Sequence, residues 1–67
     1  IKIKTDYITL GQLVKFIGLI SNGCEAKSFL ANNVILYNGE KESRRGKKIY
    51  PNDKVVIGNK EYLIEKE

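Results

Sequence analysis

The sequence predicts an α+β fold in which a hairpin of two helices packs on a small antiparallel sheet of about four to five strands. Two helix-capping signals follow each other near the start of the chain, at Thr9 and Asn22. Further along, Asn38-Gly39 follows a short apolar run, and this dipeptide is a strong signal for a β-hairpin. Helices followed by a series of strands are typical of α+β domains. The length of 67 residues suffices for one domain, which we expect to span residues 1–67.

The first helix is predicted over residues 9–19. Thr9 is its N-cap, and Gln12, three residues later, completes a capping box. Apolar side chains then recur at helical spacing and form one stripe that needs a partner surface. This stripe consists of Leu10, Leu13, Val14, Ile17 and Ile20. Gly18 weakens the helix near its end.

The second helix is predicted over residues 22–31. Asn22 and Glu25 repeat the capping signal at its start. The side chains expected to face inward are Ala26, Phe29 and Leu30. Asn33 follows the helix at a position where the left-handed conformation is expected, because asparagine tolerates that conformation.

The sheet is predicted from short apolar or alternating runs between turn signals. Asn38-Gly39 fits a type I′ turn, and Gly58-Asn59 marks a second hairpin. Pro51-Asn52-Asp53 turns the chain between two of the strands. The predicted strands are an edge strand at 1–4 and further strands at 34–37, 49–50, 55–57 and 61–64.

Composition excludes several classes of function. The chain has no histidine and one cysteine, Cys24, so it lacks a zinc-finger ligand set and the residues for histidine-dependent catalysis. Its glycines do not have the spacing of a phosphate-binding loop. A chain this short also has little room to enclose a substrate. We therefore predict a non-catalytic protein with no metal, no other cofactor and no small-molecule substrate.

No segment is predicted to enter a membrane. The chain has no apolar stretch near the roughly 20 residues that a membrane-spanning helix needs. No apolar stretch behind a charged start indicates a signal peptide. The lone thiol of Cys24 suits a reducing compartment. We therefore expect a cytoplasmic protein without a membrane partner.

The positive charge of the chain is concentrated in one segment. Twelve basic and eight acidic residues give a net charge of +4. Residues 41–48 contain five basic residues and one acidic residue and so carry +4 by themselves, whereas the rest of the chain has no net charge. A concentrated excess of this kind favours a polyanionic partner.

The candidate phosphate contacts in this segment are Arg44, Arg45, Lys47 and Lys48. Arginine presents a planar fork that suits phosphate oxygens, and Gly46 allows the backbone between the basic pairs to turn. Lys27 and Lys15 lie on the predicted helices and are flanking candidates. The alternative is an ordinary solvated loop, which a run of charges usually forms.

Tyr50 lies directly beyond the basic run, and two interpretations of it stay open. We expect its ring to pack on the sheet as a hairpin aromatic residue. The other interpretation is that the ring stacks on an unpaired base of an RNA.

The helices and the turn that follows them resemble the S4-like RNA-binding domain. The matching residues align without a gap and are Leu10, Val14, Ala26-Lys27, Phe29-Leu30, Asn33, Ile35-x-Tyr37 and Asn38-Gly39. Asn52-Asp53 looks like the Gly-Asp that precedes the family's next strand. Residues 8–12 and 44–50 are similar to the small stand-alone bacterial members of the YaaA type.

The resemblance implies the S4-like fold, also called the alpha-L motif, and an RNA-binding surface on the helical hairpin and the adjacent β loop. Two positions depart from the family's pattern. Thr9 stands where many members have arginine, and Asn22-Gly23 replaces the usual Ser-Arg. We expect the basic residues of 44–48 to compensate. Phosphate contacts would then position a structured RNA, ribosomal RNA above all, whose shape is recognised.

The function predicted from the sequence is therefore a non-catalytic RNA-binding module. Two alternatives stay open. One is a protein-interaction adaptor whose basic loop docks on an acidic partner. The other is a DNA-binding accessory protein, because a basic surface alone does not distinguish the two nucleic-acid backbones.

Overall fold

The structure, a computed structural model, describes all 67 residues. In chain order, its elements are β1 (Lys2–Ile3), β2 (Ile8–Thr9), α1 (Leu10–Phe16), a 3₁₀ turn (Gly23–Glu25), α2 (Ala26–Asn32), β3 (Ile35–Tyr37), β4 (Glu40–Lys41), β5 (Lys48–Ile49), β6 (Lys54–Ile57), β7 (Lys60–Leu63) and β8 (Glu65–Lys66). The prediction of an α+β fold with two helices and a small antiparallel sheet is confirmed.

The main sheet is antiparallel and has the strand order β4-β3-β6-β7. Strands β2 and β5 form a separate antiparallel pair, in which Ile8 lies opposite Ile49 and Thr9 lies opposite Lys48. Strands β1 and β8 pair in parallel. The sequence predicts an edge strand near the position of β1 but gives no partner for it, because no turn connects two segments so far apart in the chain.

Helix α1 is shorter than the predicted span of 9–19, because it ends at Phe16. Gly18 has a φ of 85°. The amide of Gly18 donates to the carbonyl oxygen of Lys15 at 3.1 Å, and the amide of Leu19 donates to that of Val14 at 3.0 Å. These two bonds form a Schellman motif, in which a glycine in the left-handed region ends a helix. Gly18 therefore stops the helix instead of only weakening it.

The start of the second helix also differs from the prediction. A 3₁₀ turn occupies residues 23–25, and α2 begins after it. Asn22 caps this turn, since its Oδ1 accepts from the amide of Cys24 at 3.0 Å. Glu25 accepts from the backbone amide of Ser21 at 3.4 Å and from the side-chain Nδ2 of Asn22 at 3.3 Å. It does not accept from the backbone amide of Asn22, so the predicted capping box is only partly formed.

The prediction that Asn33 adopts the left-handed conformation is wrong. Its φ of −133° and ψ of 147° are extended. Its side-chain Nδ2 instead donates to the carbonyl oxygen of Phe29 at 2.8 Å. The carboxyl end of α2 is therefore satisfied by a side chain, which leaves the backbone free to enter the sheet directly.

The predicted hairpin turns are confirmed. Asn38 and Gly39 have φ values of 50° and 92°, as a type I′ turn requires. In the second hairpin, Gly58 has a φ of 65°. Pro51 and Asn52 form a further turn with a φ of 77° at Asn52, and the amide of Asp53 donates to the carbonyl oxygen of Tyr50 at 3.1 Å.

The core lies between the helices and one face of the main sheet. The predicted helix stripe is buried except for Ile17, which is half-buried against the core. The fully buried side chains are Leu10, Leu13, Val14, Ile35, Ile49, Val55 and Ile64. Neither helix has the length and apolar character needed to cross a membrane.

Candidate nucleic-acid interface

Residues 44–48, which we call the basic loop, are attached to the start of α1 by their backbone. The amide of Leu10 donates to the carbonyl oxygen of Lys47 at 2.8 Å, and the amide of Gly11 donates to that of Arg45 at 2.9 Å. Within the loop, the amide of Lys47 donates to the carbonyl oxygen of Arg44 at 3.1 Å and closes a turn. The basic loop is therefore a turn whose backbone is fixed against the start of α1.

All four amide groups at the amino end of α1 have acceptors inside the protein. Leu10 and Gly11 donate to the basic loop. The amide of Gln12 donates to Oγ1 of Thr9 at 3.3 Å, and the amide of Thr9 donates to Oε1 of Gln12 at 3.0 Å. This reciprocal pair is the predicted capping box. Because these donors are occupied, phosphate groups must be bound by side chains and not by the helix amides.

Gly11 lets the basic loop approach α1 closely. A Cβ atom at this position would lie 3.3 Å from both the Cβ and the carbonyl oxygen of Arg45. These distances are shorter than comfortable van der Waals contacts, so a larger side chain at residue 11 would push the loop away. The glycine is therefore needed for the close approach of the loop and not for an unusual backbone conformation.

Two of the predicted site residues meet in a depression between α1 and the 3₁₀ turn. The cations there are Lys15, from α1, and Arg45, from the basic loop. Both side chains are exposed, and neither belongs to an ion pair. The complete lining is Thr9, Gly11, Gln12, Lys15, Gly23, Ala26 and Arg45. This first depression combines two free cations with polar side chains at a helix start.

Three other predicted residues line a second depression, together with two tyrosines. Its lining is Tyr37, Arg44, Gly46, Lys47, Lys48 and Tyr50. Lys27 is exposed on α2 and lines neither depression. The structure therefore groups five of the six predicted cations around the basic loop and places Lys27 apart from them.

Arg44 differs from its basic neighbours because it already forms an ion pair with an acidic side chain. Its Nε and Nη2 donate to the carboxylate oxygens of Glu42 at 3.0 and 3.2 Å. The carboxylate of Glu42 also accepts from the backbone amides of Arg44 and Ser43. Together with the bonds from the Arg44 side chain, these bonds lower the pKa of Glu42 to about 2. The same carboxylate raises the pKa of the Arg44 guanidinium. The positive charge of Arg44 is thus largely balanced within the protein.

Tyr37 is fixed by an acidic residue in the turn after β5. Its hydroxyl donates to Oδ2 of Asp53 at 2.5 Å, and this bond, burial and the carboxylate charge raise the pKa of Tyr37 to about 12. Burial alone would raise the pKa of Asp53. Hydrogen bonds from Tyr37, the amide of Tyr50 and the side chain of Asn38 outweigh burial and keep that pKa below its ordinary value. Asp53 is therefore ionised and joins β3 to the turn at 50–53.

The expectation that Tyr50 packs on the sheet is wrong. The ring of Tyr50 lies against the ring of Tyr7, with centroids 5.7 Å apart and planes at 49°. The pairing of β2 with β5 produces this contact, because it places the residue before Ile8 beside the residue after Ile49. Both rings stay exposed, Tyr7 by 39% and Tyr50 by 46%.

Lysines of the basic loop lie over these aromatic rings. Nζ of Lys47 is 4.8 Å from the ring centroid of Tyr37, and Nζ of Lys48 is 5.0 Å from that of Tyr7. Both distances are typical of cation–π contacts. Tyr7 and Tyr37 belong to this surface although the sequence does not predict it. Their only sequence signal is weak, since each tyrosine also fits an ordinary strand position.

Comparison with known proteins supports a single family. The sequence profile of the S4 domain matches residues 1–65. The chain is 46% identical over 57 residues to the probable ribosome maturation protein RlbA of Bacillus subtilis, a match that covers 85% of this chain and 80% of that protein. No solved structure matches the chain significantly. The S4 domain family is generally RNA-binding. Because the S4 domain profile matches nearly all of its residues and the α+β fold agrees with that match, the chain belongs to the S4 domain family.

Proposed function

We propose that this chain is a non-catalytic RNA-binding module that binds structured, ribosomal-type RNA through phosphate contacts. The principal contacts are Arg45, Lys47, Lys48 and Lys15. Arg44 and Lys27 are secondary contacts, the first because Glu42 balances its charge and the second because it lies outside both depressions.

The observation that carries this proposal is the attachment of the basic loop to α1. A mobile charged loop would lose conformational entropy on binding, whereas a loop held by two backbone hydrogen bonds presents its cations in place. Three cations of the loop have no acidic partner, and the net charge of the whole chain is concentrated in and beside this loop. Such a surface suits a polyanion with regularly spaced phosphates.

Family membership and the B. subtilis relative support RNA over other polyanions. The relative is named a probable ribosome maturation protein, which connects that protein with the maturation of ribosomes. We extend this connection to the present chain and propose that it acts in the cytoplasm on ribosomal RNA. The whole chain, residues 1–67, would act as one module, without a membrane partner and without a small-molecule substrate.

The test compares two variants that lose the same amount of charge. In the loop variant, Lys15, Arg45, Lys47 and Lys48 are changed to Gln; in the control variant, Lys2, Lys4, Lys60 and Lys66 are changed to Gln. The loop variant should bind a ribosomal RNA hairpin at least about tenfold more weakly, roughly 1.4 kcal/mol. The control should bind like the unmodified chain. Equal losses in the two variants would contradict a site at the loop.

A competition experiment separates the alternatives. We expect a ribosomal RNA hairpin to displace a labelled copy of itself, and a DNA duplex of the same sequence to displace it poorly. Equal displacement by DNA would favour the DNA-binding alternative. Unchanged RNA binding in both charge variants would contradict phosphate contacts from the basic loop, and no RNA binding at all would favour an adaptor for an acidic protein.

A further inference from the structure

Tyr7 and Tyr50 form an exposed aromatic surface outside the buried core. Both residues are exposed and lie outside the buried cluster, whereas Tyr37 and Tyr62 are half-buried against it. The two rings instead contact each other and expose 39% and 46% of their surfaces. Two neighbouring exposed tyrosines on a small protein are therefore better explained by binding than by stability.

Cations lie at the same place. Lys48 covers the ring of Tyr7, and Lys47 covers that of Tyr37. Tyr50 shares the second depression with both lysines but has no cation over its own ring. Of the three rings, Tyr50 is the most exposed and is the one left free to stack. An aromatic face next to lysines is the arrangement that binds a base and its phosphate in single-stranded nucleic acid.

The position of Tyr50 is fixed before any ligand binds. Its backbone amide donates to Oδ2 of Asp53 at 2.8 Å, and the same oxygen accepts the hydroxyl of Tyr37 at 2.5 Å. Pro51 fixes its own φ and restricts the backbone of the preceding Tyr50, and Asn52 completes the turn with its positive φ. A stacking ring on such a backbone loses little conformational entropy when a base binds.

We propose that Tyr50 stacks on one unpaired base of the bound RNA, while Lys47 and Lys48 contact the phosphate next to it. This inference rests on the proposed function and adds an element to it: the RNA has a bulged, looped or terminal unpaired nucleotide beside a paired region. The paired region would lie on the first depression, at Arg45 and Lys15. Stacking is tolerant of base identity because every base has a π face.

The test uses two RNAs that share one stem, one fully paired and one with a single unpaired nucleotide. We expect the unmodified chain to bind the second RNA more tightly. Tyr50→Leu keeps apolar bulk against Tyr7 but removes the π face, so it should weaken binding to the second RNA at least about fivefold. Binding of the fully paired RNA should change less than about twofold. Tyr50→Phe should restore the tighter binding.

The following results would overturn the stacking inference, alone or together with the proposed function. Equal binding of the two RNAs by the unmodified chain, or no effect of Tyr50→Leu on the second RNA, would overturn the stacking inference and leave the proposed function in place. Equal weakening for both RNAs would also overturn it, because loss of a π face affects only the unpaired base. Failure of the unmodified chain to bind either RNA would overturn the proposed function and this inference together.

Discussion

The amide of Gly11 donates to the carbonyl oxygen of Arg45 at 2.9 Å, and this bond joins the start of α1 to the middle of the basic loop. The missing side chain of Gly11 makes the contact possible, because a Cβ atom would already be 3.3 Å from Arg45. One residue without a side chain thus determines where a charged side chain of the candidate site lies. The positions of the loop cations depend on packing against the helix.

The first prediction tests this dependence with Gly11→Val. The added methyl groups should displace the basic loop and lower the free energy of unfolding by about 1–3 kcal/mol, as overpacking generally does. RNA affinity should fall with it, because Arg45 moves relative to Lys15. Urea titration measures the stability, and a binding titration with a ribosomal RNA hairpin measures the affinity. Gly46→Val is the control, since a Cβ there meets no atom within 4 Å. Similar behaviour of the two variants would contradict the role of Gly11.

Much of the fold could be predicted because its signals are local. The capping box of Thr9 with Gln12 and the type I′ turn at Asn38-Gly39 each depend on residues at most three positions apart. The helix stripe could be predicted because its spacing reports one buried face. The predicted end of α1 is wrong because a glycine can weaken a helix or terminate it, and only the following residues decide between these effects.

Other features of the site could not be predicted because they depend on distant pairing. Tyr7 meets Tyr50 only because β2 pairs with β5. Asp53 accepts a hydrogen bond from Tyr37, which lies sixteen positions earlier in the chain, and no local pattern predicts that bond. The pairing of Arg44 with Glu42 is close in sequence, but it requires the acidic side chain to fold back on its own loop. The charge concentration was therefore visible in the sequence, whereas its partial neutralisation was not.

The second prediction concerns the salt dependence of RNA binding. If each unpaired cation neutralises one phosphate, log affinity should fall against log salt with a slope of about −0.7 to −0.9 per contact. The four principal contacts then give a slope of roughly −3 to −4. Binding titrations at several salt concentrations measure this slope. A flat dependence would instead indicate apolar contacts and contradict phosphate binding by the basic loop.

The third prediction is that Glu42→Gln strengthens RNA binding. Removal of the carboxylate charge frees Arg44 for a phosphate, so affinity should rise and the salt slope should steepen by about 1. The amide oxygen of Gln can still accept from the amides of Ser43 and Arg44, so the loop keeps much of its shape. Glu61→Gln is the matched control, because it adds the same charge on β7, where Glu61 pairs with Lys54. An equal gain in the two variants would indicate a general charge effect.

The same substitution has a consequence for acid stability. The pKa of Glu42 in the folded chain is lowered to about 2 from an ordinary value of 4.5. Its contribution to stability is therefore present above pH 4.5 and is lost as the pH falls toward 2. We expect Glu42→Gln to lower stability at neutral pH and to flatten the fall in stability between these two values. Urea titrations across the acid range measure this difference, and parallel profiles for the two proteins would contradict it.

The last prediction concerns the raised pKa of Tyr37. The pKa of Tyr37 is raised to about 12 from 10.0, chiefly by its hydrogen bond to Asp53. Ultraviolet titration of the phenolates should therefore contain a phase near pH 12, and Tyr37→Phe should remove that phase while Tyr62→Phe leaves it. Asp53→Asn takes away the carboxylate charge, so the pKa of Tyr37 should move back toward 10.

The titration of Tyr37 also fixes the sign of the alkaline stability change. Because folding raises this pKa, the bond to Asp53 stabilises the chain fully below pH 10, and its contribution is lost as the pH rises toward 12. Asp53→Asn should remove this alkaline loss and lower stability at neutral pH by about 1–3 kcal/mol, since hydrogen bonds to a charged group are broken. It should also free the backbone of Tyr50 and so reduce the preference for an RNA with an unpaired nucleotide. An unchanged preference, together with an unchanged phase near pH 12, would show that Asp53 does not hold the two tyrosines in place.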